Sequence, residues 1–212
     1  MCGIVGYIGK DKKALHVLID GLKHLEYRGY DSAGVAYVKN NSVVIEKTTG
    51  RISNLEKELN FSDKSSIGIG HTRWATHGGV TKANSHPHRC EKITIVHNGI
   101  IENYIELKEE LSKKGYKFYS ETDTEVAAVL LNDLYKNNHD ILKSIKEFKK
   151  LVKGAYAIAL ICEDDLESLY AIKKNSPLII GLGEKENFLA SDVPAIISYT
   201  NIFTIVDYFF PC

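Results

Sequence analysis

The strongest constraint on the fold of this chain comes from two nearly continuous apolar runs. The stretches AYAIALIC at 155–162 and PLIIGLG at 177–183 contain almost no polar residues. Runs of this length and character are typical of strands that are covered on both faces. A chain of 212 residues can bury enough surface to supply the covering layers. The sequence therefore predicts a layered fold with a buried sheet.

The order of the predicted elements selects among layered architectures. Strand patterns come first, with an apolar run at 3–9 and two alternating strands at 33–39 and 42–48 around an Asn-Asn turn. Helical patterns dominate from 103 to 152, and strands return after Gly154. This order favours antiparallel sheets that carry helices on their outer faces. A doubly wound fold would show a strict alternation of strands and helices. We therefore expect the α+β class.

Several local signals place polar groups on these elements. Thr122 and Glu125 have the spacing of a capping box, which puts Asp123 in the first turn of a helix. Ser53 is a candidate N-cap for a shorter helix at 52–59. Two apolar strands, SIGIGH and ITIVH, are each predicted to end in a histidine. Functional groups often lie where a strand gives way to a loop.

Composition excludes several classes of protein. Lys plus Arg and Asp plus Glu are equal at 27 each, so no nucleic-acid or membrane-surface partner is expected. No apolar stretch reaches the length of a membrane span, and the start lacks the pattern of a signal peptide, so we expect a cytoplasmic protein. The chain shows no internal repeat and no linker, which favours a single domain over 2–212. Four widely spaced cysteines argue against a disulfide framework, and they are Cys2, Cys90, Cys162 and Cys212.

Histidines and a cysteine within 84–90 raise the possibility of a metal site. His86, His88 and Cys90 lie at alternate positions beside a proline, which is poor spacing for the paired ligands of a structural zinc site. Hydrogen bonds from His86 and His88 to loop backbone explain the stretch better. We therefore predict no metal.

The N-terminal MCGIVGYIG can be interpreted in two ways. Cys2 is either a small hydrophobe at the start of a buried strand, or a nucleophile whose own amine, freed by removal of Met1, is the base. A free α-amine has a pKa near 7.7–8.0, so it can accept a thiol proton near neutral pH. Taken alone, this stretch favours the first interpretation.

Other polar stretches contain groups that would complete an amide-cleaving site. The Asn98 amide and the Gly99 backbone N–H could stabilise an oxyanion, although Asn-Gly is above all a turn dipeptide. Arg73 can bind a carboxylate or pair with any surface acid, and Asp123 can bind an ammonium or only start its helix. A substrate with an amide, a carboxylate and an ammonium is glutamine or asparagine.

Together these stretches resemble the glutaminase domains of glutamine–fructose-6-phosphate aminotransferases, a group of class II glutamine amidotransferases. The resemblance runs in one order from Cys2 to about Asp192, and YRGYDSAG looks like this sugar-phosphate group rather than the phosphoribosyl one. The matching stretches are CGIVGYIG, EYRGYDSAG, HTRWATHG, HPH, HNGIIENY, SETDTE, KGAYA, PLIIGLG and NFLASD.

The resemblance implies an N-terminal-nucleophile hydrolase, which is a four-layer αββα sandwich with two stacked antiparallel sheets. It implies that Cys2 is the nucleophile and that Asn98 and Gly99 form the oxyanion hole. Arg73 and Asp123 would hold glutamine. The remaining residues that it implicates are Thr76 and His77 as lining residues, Trp74 as a gate, and Gly3, Arg28 and His86 in supporting positions.

The implied reaction is hydrolysis of L-glutamine through a γ-glutamyl thioester, with no metal or organic cofactor. The ammonia would pass to a sugar-isomerase half, absent from this chain, that aminates fructose 6-phosphate in a homo-oligomeric full-length enzyme. Another class II glutaminase of the phosphoribosyl type and a non-catalytic glutamine-sensing domain stay open as alternatives. The final stretch DYFFPC at 207–212 departs from the family pattern.

Overall fold

The computed structural model describes residues 2–11, 13–75 and 78–205, and its strands form two sheets. The first half of the chain contributes β1 (Gly3–Gly9), β2 (Ser32–Lys39), β3 (Ser42–Thr49), β4 (Ile67–Arg73), β5 (His88–Cys90) and β6 (Ile93–Ile101). The second half contributes β7 (Gly154–Cys162), β8 (Asp165–Lys174), β9 (Ile179–Leu182), β10 (Glu186–Ala190) and β11 (Phe203–Ile205).

The helices lie between β1 and β2, between β3 and β4, and in the middle of the chain. They are α1 (Ala14–His24), α2 (Ile52–Glu58), α3 (Tyr104–Lys113), α4 (Asp123–Asn138) and α5 (Ile141–Leu151). Among the residues that the structure describes, no helix is long and apolar enough to cross a membrane.

Both sheets are antiparallel throughout their strand pairs. Sheet I has the order β11-β9-β10-β1-β4-β2-β3, and sheet II has the order β5-β6-β7-β8. The earliest strand, β1, lies at the centre of sheet I between β10 and β4, with Gly3 opposite Thr72. In sheet II, β6 pairs with β7 over its whole length. The beginning of β1 and the end of β4 therefore lie side by side at the same end of the sheet I strands.

Three apolar clusters arrange the elements in four layers. Because side chains alternate along a strand, Ile4 points between the sheets while Val5 points towards α1. The cluster between the sheets joins Ile4 to Val96 of sheet II. A second cluster packs α1 and α2 on sheet I, and a third packs α3, α4 and α5 on sheet II. The expected αββα sandwich of the α+β class is confirmed.

Turn and cap chemistry follows the sequence signals in two places and departs from them in a third. Asn40 and Asn41 both have positive φ, +51° and +59°, and form the two-residue turn between β2 and β3. The hydroxyl of Thr122 accepts the backbone N–H of Glu125 at 3.2 Å and caps α4. The prediction for Ser53 is wrong, because α2 has Arg51 as its N-cap residue and Ser53 lies inside the helix.

Two strands extend further than the sequence indicates. β4 continues past His71 to Arg73, and β6 continues past His97 to Ile101, so neither histidine ends its strand. The turn interpretation of Asn98 and Gly99 is also wrong, because both lie within β6. There they pair with Ala157 and Tyr156 of β7. The stretch 207–212 lies outside the described residues.

Candidate active site

The thiol of Cys2 lies where β1 begins, against the backbone that follows β4. The backbone N–H of Trp74 donates to Sγ of Cys2 at 3.3 Å, and the thiol approaches the Trp74 carbonyl at 3.8 Å. Gly3 is required by packing here. A Cβ on Gly3 would lie 2.7 Å from Oγ1 of Thr72 and 2.8 Å from Cβ of Leu25. The glycine therefore lets β1 press close to β4 and to the end of α1.

Opposing effects act on the pKa of the Cys2 thiol. Burial raises this pKa, and the negative charge of Asp31 raises it further. The hydrogen bond from Trp74 and the positive charge of Arg73 lower it. Burial prevails and the pKa lies above its ordinary value, so most of the sulfur carries its proton at neutral pH. A nucleophile in this position needs a base beside it.

One cavity brings most of the predicted site residues together. The described residues that line it are Cys2, Arg73, Trp74, His86, His97, Gly99, Thr122, Asp123 and Thr124. Thr76 and His77, which are expected to line the same site, lie outside the described residues. Asn98 is not among the described lining residues. Its side-chain amide donates a hydrogen bond to the carbonyl oxygen of Cys2 beside the cavity.

Asn98 and Gly99 lie next to each other in β6, at the edge of the cavity. The Nδ2 of Asn98 donates to the carbonyl oxygen of Cys2 at 2.9 Å. Gly99 has a φ of +114°, and a Cβ there would collide with the carbonyl oxygen of Ala155 in β7. Only glycine fits this backbone position. An amide donor and an unobstructed backbone therefore lie beside Cys2, the residue before β1.

Two oppositely charged side chains lie on this cavity. Arg73 ends β4, is 5% exposed, and donates from Nη1 to the carbonyl oxygen of Gly79 at 3.2 Å. Asp123 is the first residue of α4, where the helix dipole favours a carboxylate. Its Oδ2 accepts the backbone N–H of Ile101 at 2.8 Å. These two groups can bind the carboxylate and the ammonium of an amino acid.

Trp74 lines the cavity, and the segment 79–84 contacts Arg73 through the carbonyl oxygen of Gly79. The Trp74 indole is 47% exposed and meets the ring of Tyr30 edge-on, with 5.3 Å between centroids. The carboxylate of Glu121 accepts the backbone N–H of Gly79 and an amide N–H of Asn84. Asn84 also donates to the carbonyl oxygen of Gly79 at 3.0 Å. Glu121 and Asn84 therefore hold this segment beside Arg73.

Asp31 supports the site although sequence reasoning did not single it out. Its carboxylate accepts the backbone N–H of Ala75, and its own N–H donates to the carbonyl oxygen of Arg73 at 3.1 Å. Asp31 thus holds the backbone on both sides of Trp74, whose N–H faces the Cys2 thiol. The signal in the sequence was its place within EYRGYDSAG, one of the stretches that carry the resemblance.

Arg28 and His86 support the site from different sides. Arg28 donates from Nη1 to Oδ2 of Asp192 at 2.8 Å and to the carbonyl oxygen of Ser191 at 3.3 Å. Ser191 in turn accepts the N–H of Ile4 on its hydroxyl, so these contacts fix the start of β1. His86 accepts the N–H of His97 on Nδ1 at 3.3 Å. The backbone it contacts therefore belongs to strand β6, not to a loop.

Four histidines form a buried cluster at the cavity, and two of them, His86 and His97, lie in its lining. The rings of His71 and His86 stack with centroids 4.0 Å apart, and the ring of His88 meets His86 edge-on. Burial lowers the pKa of His71 to about 3 and those of His86 and His88 well below the ordinary value, and it also lowers that of His97. Among the described residues, no three His, Cys, Asp or Glu side chains are grouped to hold a metal ion.

Comparison with known proteins identifies the family. A family model for the glutamine amidotransferase domain matches residues 71–198. The chain belongs to the glutamine amidotransferase family. This amidotransferase is 56% identical, over 94% of its length, to the glutamine--fructose-6-phosphate aminotransferase (isomerizing) of Clostridium perfringens, and 53% identical, over 98%, to that of Aquifex aeolicus. These matches confirm the resemblance, and they span 33% and 35% of the relatives' lengths.

Two solved structures have the same fold as this chain. The amidotransferase chain aligns over its full length with glutamine phosphoribosylpyrophosphate amidotransferase from B. subtilis, with a TM-score of 0.83 and 25% identity, and covers 49% of that chain. It aligns equally well with a structure described as the allosteric regulatory enzyme of purine biosynthesis, with a TM-score of 0.84 and 26% identity, and covers 48% of that chain. The higher identity to the sugar-phosphate enzymes favours that group over the phosphoribosyl one.

Proposed function

We propose that this chain hydrolyses L-glutamine to glutamate and ammonia, with Cys2 as the nucleophile. The observation that carries the proposal is the single cavity that joins the Cys2 thiol to Arg73 and Asp123, beside the Asn98 amide. Cys2 can attack the side-chain amide of glutamine, and Asn98 can stabilise the oxyanion that forms. Arg73 and Asp123 can bind the carboxylate and the ammonium of the same substrate. Membership of the glutamine amidotransferase family supports the same substrate.

The chemistry begins once removal of Met1 frees the amine of Cys2. That amine takes the thiol proton, and Sγ attacks the side-chain amide carbon of glutamine. The carbonyl electron pair moves onto oxygen, where the Asn98 Nδ2 and the Gly99 N–H stabilise the negative charge. The protonated amine then gives its proton to the leaving nitrogen, so ammonia departs and a γ-glutamyl thioester remains on Sγ. A water molecule, deprotonated by the same amine, attacks the thioester carbon. The C–S bond then breaks, glutamate leaves, and the protonated amine returns its proton to Sγ.

Substrate recognition in this proposal uses charge at both ends of the amino acid. The Arg73 guanidinium binds the α-carboxylate with its planar fork, and Asp123 binds the α-ammonium. The proposal assigns further contacts with glutamine to Thr76 and His77, and it assigns to Trp74 the part of a gate that closes over the bound substrate. Gly3, Arg28 and His86 support the geometry of the site.

The wider role is drawn from the relatives. The amidotransferase chain spans about a third of the length of the aminotransferases that it matches. We propose that 2–212 is one glutaminase domain and that its ammonia serves the amination of fructose 6-phosphate by a sugar-isomerase half. A cytoplasmic location, a homo-oligomeric full-length enzyme and the need for no cofactor stay predictions.

A glutaminase assay tests this function directly. We expect ammonia release from L-glutamine by the chain that has lost Met1, complete loss of release in Cys2→Ala, and unchanged release in the control Cys90→Ala on β5. Glutamine should still raise the melting temperature of Cys2→Ala, because Arg73 and Asp123 are intact. Binding without turnover in the chain that begins at Cys2 would favour the glutamine-sensing alternative and contradict the proposal.

A further inference from the structure

His71 is a fully buried side chain that the reaction described above does not use. It lies on β4, and its ring packs flat against that of His86. Its Nε2 is 3.0 Å from the carbonyl oxygen of His97 and 3.0 Å from Oδ1 of Asn98. The ring therefore connects the central strand pair of sheet I to the amide that is placed beside Cys2.

The two partners of Nε2 determine the tautomer of His71. A carbonyl oxygen and an amide oxygen are both acceptors, so Nε2 must carry the hydrogen. The other nitrogen, Nδ1, is buried without a hydrogen-bond partner among the described residues, as suits an unprotonated nitrogen. Because burial lowers the pKa of His71 to about 3, the ring stays neutral at pH 7 with this single hydrogen.

This tautomer fixes the orientation of the Asn98 amide. In the observed orientation, Oδ1 accepts from His71 while Nδ2 donates to the carbonyl oxygen of Cys2 at 2.9 Å. A flipped amide would set its NH₂ against the Nε2–H of His71 and its oxygen against the Cys2 carbonyl. Both contacts would then be repulsive and both buried groups would lose a bond. The second hydrogen of Nδ2 is left for another acceptor.

We propose that His71 is a positioning residue that holds the Asn98 amide with Nδ2 towards the reacting carbon. The inference rests on the proposed function, since it assigns a task only if Asn98 stabilises an oxyanion. His71 acts through Asn98 and touches no substrate atom. Its contribution is therefore bounded by that of Asn98, whose removal should lower kcat by about 10²–10³-fold.

Two substitutions separate the effect of the Nε2–H donor of His71 from the effect of its ring shape. His71→Phe keeps a flat ring against His86 but has no N–H, and His71→Gln can place an amide N–H where Nε2 lies. We expect His71→Phe to lower kcat for glutamine at least tenfold with KM within threefold, and His71→Gln to recover most of that loss. Alkylation of Cys2 by iodoacetamide, which forms no oxyanion, should keep its rate in both variants and so show that the thiol site is intact.

A double-mutant cycle distinguishes a positioning role from a merely structural one. If His71 acts through Asn98, the variant His71→Phe/Asn98→Ala should have the same kcat as Asn98→Ala alone. A structural role would give effects that multiply. Multiplying effects, or a kcat for His71→Phe within threefold of wild type, would overturn the inference. If the unsubstituted chain released no ammonia, the proposed function itself would fail instead.

A measurement on the unsubstituted chain covers the case in which His71→Phe does not fold. Nitrogen-15 NMR of the imidazole at pH 7 should show a hydrogen on Nε2 and none on Nδ1 of His71. A hydrogen on Nδ1 alone would leave no donor towards Asn98, and the inference would be wrong.

Discussion

The backbone N–H of Trp74 lies 3.3 Å from the sulfur of Cys2 and donates a hydrogen bond to it. Residues 2 and 74 meet because β1 and β4 are neighbours at the centre of sheet I. Asp31, the residue before β2, holds this contact by accepting the N–H of Ala75. The thiol environment is therefore set by backbone that three strands position together.

Asp31→Asn tests how charge acts on that thiol. An asparagine oxygen can still accept the Ala75 N–H while its NH₂ donates to the Ser32 hydroxyl, so the backbone contact is kept and the negative charge is lost. Because that charge raises the pKa of Cys2, we expect the pH profile of Cys2 alkylation by iodoacetamide to move to lower pH. Asp63→Asn, on a distant loop, is the control. A move to higher pH would show that Asp31 acts mainly by other means.

Arg73→Lys tests recognition of the substrate carboxylate. Lysine keeps the positive charge but lacks the planar fork that binds a carboxylate through two parallel bonds. We expect KM for glutamine to rise about tenfold, corresponding to about 1.4 kcal/mol, while kcat changes less than threefold. Arg89→Lys, which alters an ion pair with Glu163 outside the cavity, should leave both constants unchanged. An unchanged KM in Arg73→Lys would exclude the assigned role.

Asp123→Asn tests recognition of the substrate ammonium. The amide oxygen can still accept the Ile101 N–H, but the charge is lost, and a hydrogen bond to a charged group contributes about 1.5–3 kcal/mol. We expect kcat/KM for glutamine to fall about 10- to 100-fold. The assay is repeated with 5-amino-5-oxopentanoate, which lacks the α-amine. If the variant discriminated between the two substrates as strongly as the unsubstituted chain, Asp123 would not bind the ammonium.

The buried histidines predict a loss of stability in acid. The folded-state pKa values of His71, His86, His88 and His97 are lowered, whereas an unfolded histidine titrates near 6.5. Below pH 6.5 the unfolded chain binds protons that the folded chain does not, so stability falls with pH from about 6.5 towards the folded-state values. Each histidine contributes a slope of up to about 1.4 kcal/mol per pH unit.

Melting temperatures between pH 7.5 and 4.5 measure this effect. His88→Gln removes one buried histidine that does not line the cavity, and it should reduce the steepness of the decline. His139→Asn replaces an exposed histidine and should not. A melting temperature that stays constant down to pH 4.5 would mean that the cluster can be protonated while folded.

The sequence predicted the architecture well because its signals were local. The double-sided burial of 156–162, the turn at Asn40 and Asn41 and the cap at Thr122 each depend on neighbouring residues, and each has the predicted consequence. The failures were not local. Gly99 is held in the sheet by β7, a strand that begins 55 positions later in the chain, so its dipeptide could not reveal that it avoids a turn.

The candidate site was only partly accessible to sequence reasoning for the same reason. Chemistry and family resemblance indicated Cys2, Arg73 and Asp123, whose side chains have obvious roles. Asp31 and His71 act through a backbone N–H and a neighbouring amide, and those partners are identified only when the strands are assembled. The strand β5 was missed because three residues after a proline carry no periodic pattern.

Intact mass with an N-terminal peptide map is the most direct test of the central claim that Cys2 is a nucleophile for glutamine. The chain is incubated with 6-diazo-5-oxo-norleucine, a glutamine-like electrophile, with and without excess L-glutamine. We predict a chain that lacks Met1, carries a single adduct on Cys2, and is protected from the reagent by glutamine. A chain that begins at Cys2 but shows no adduct there, or an adduct on another residue only, would contradict the account.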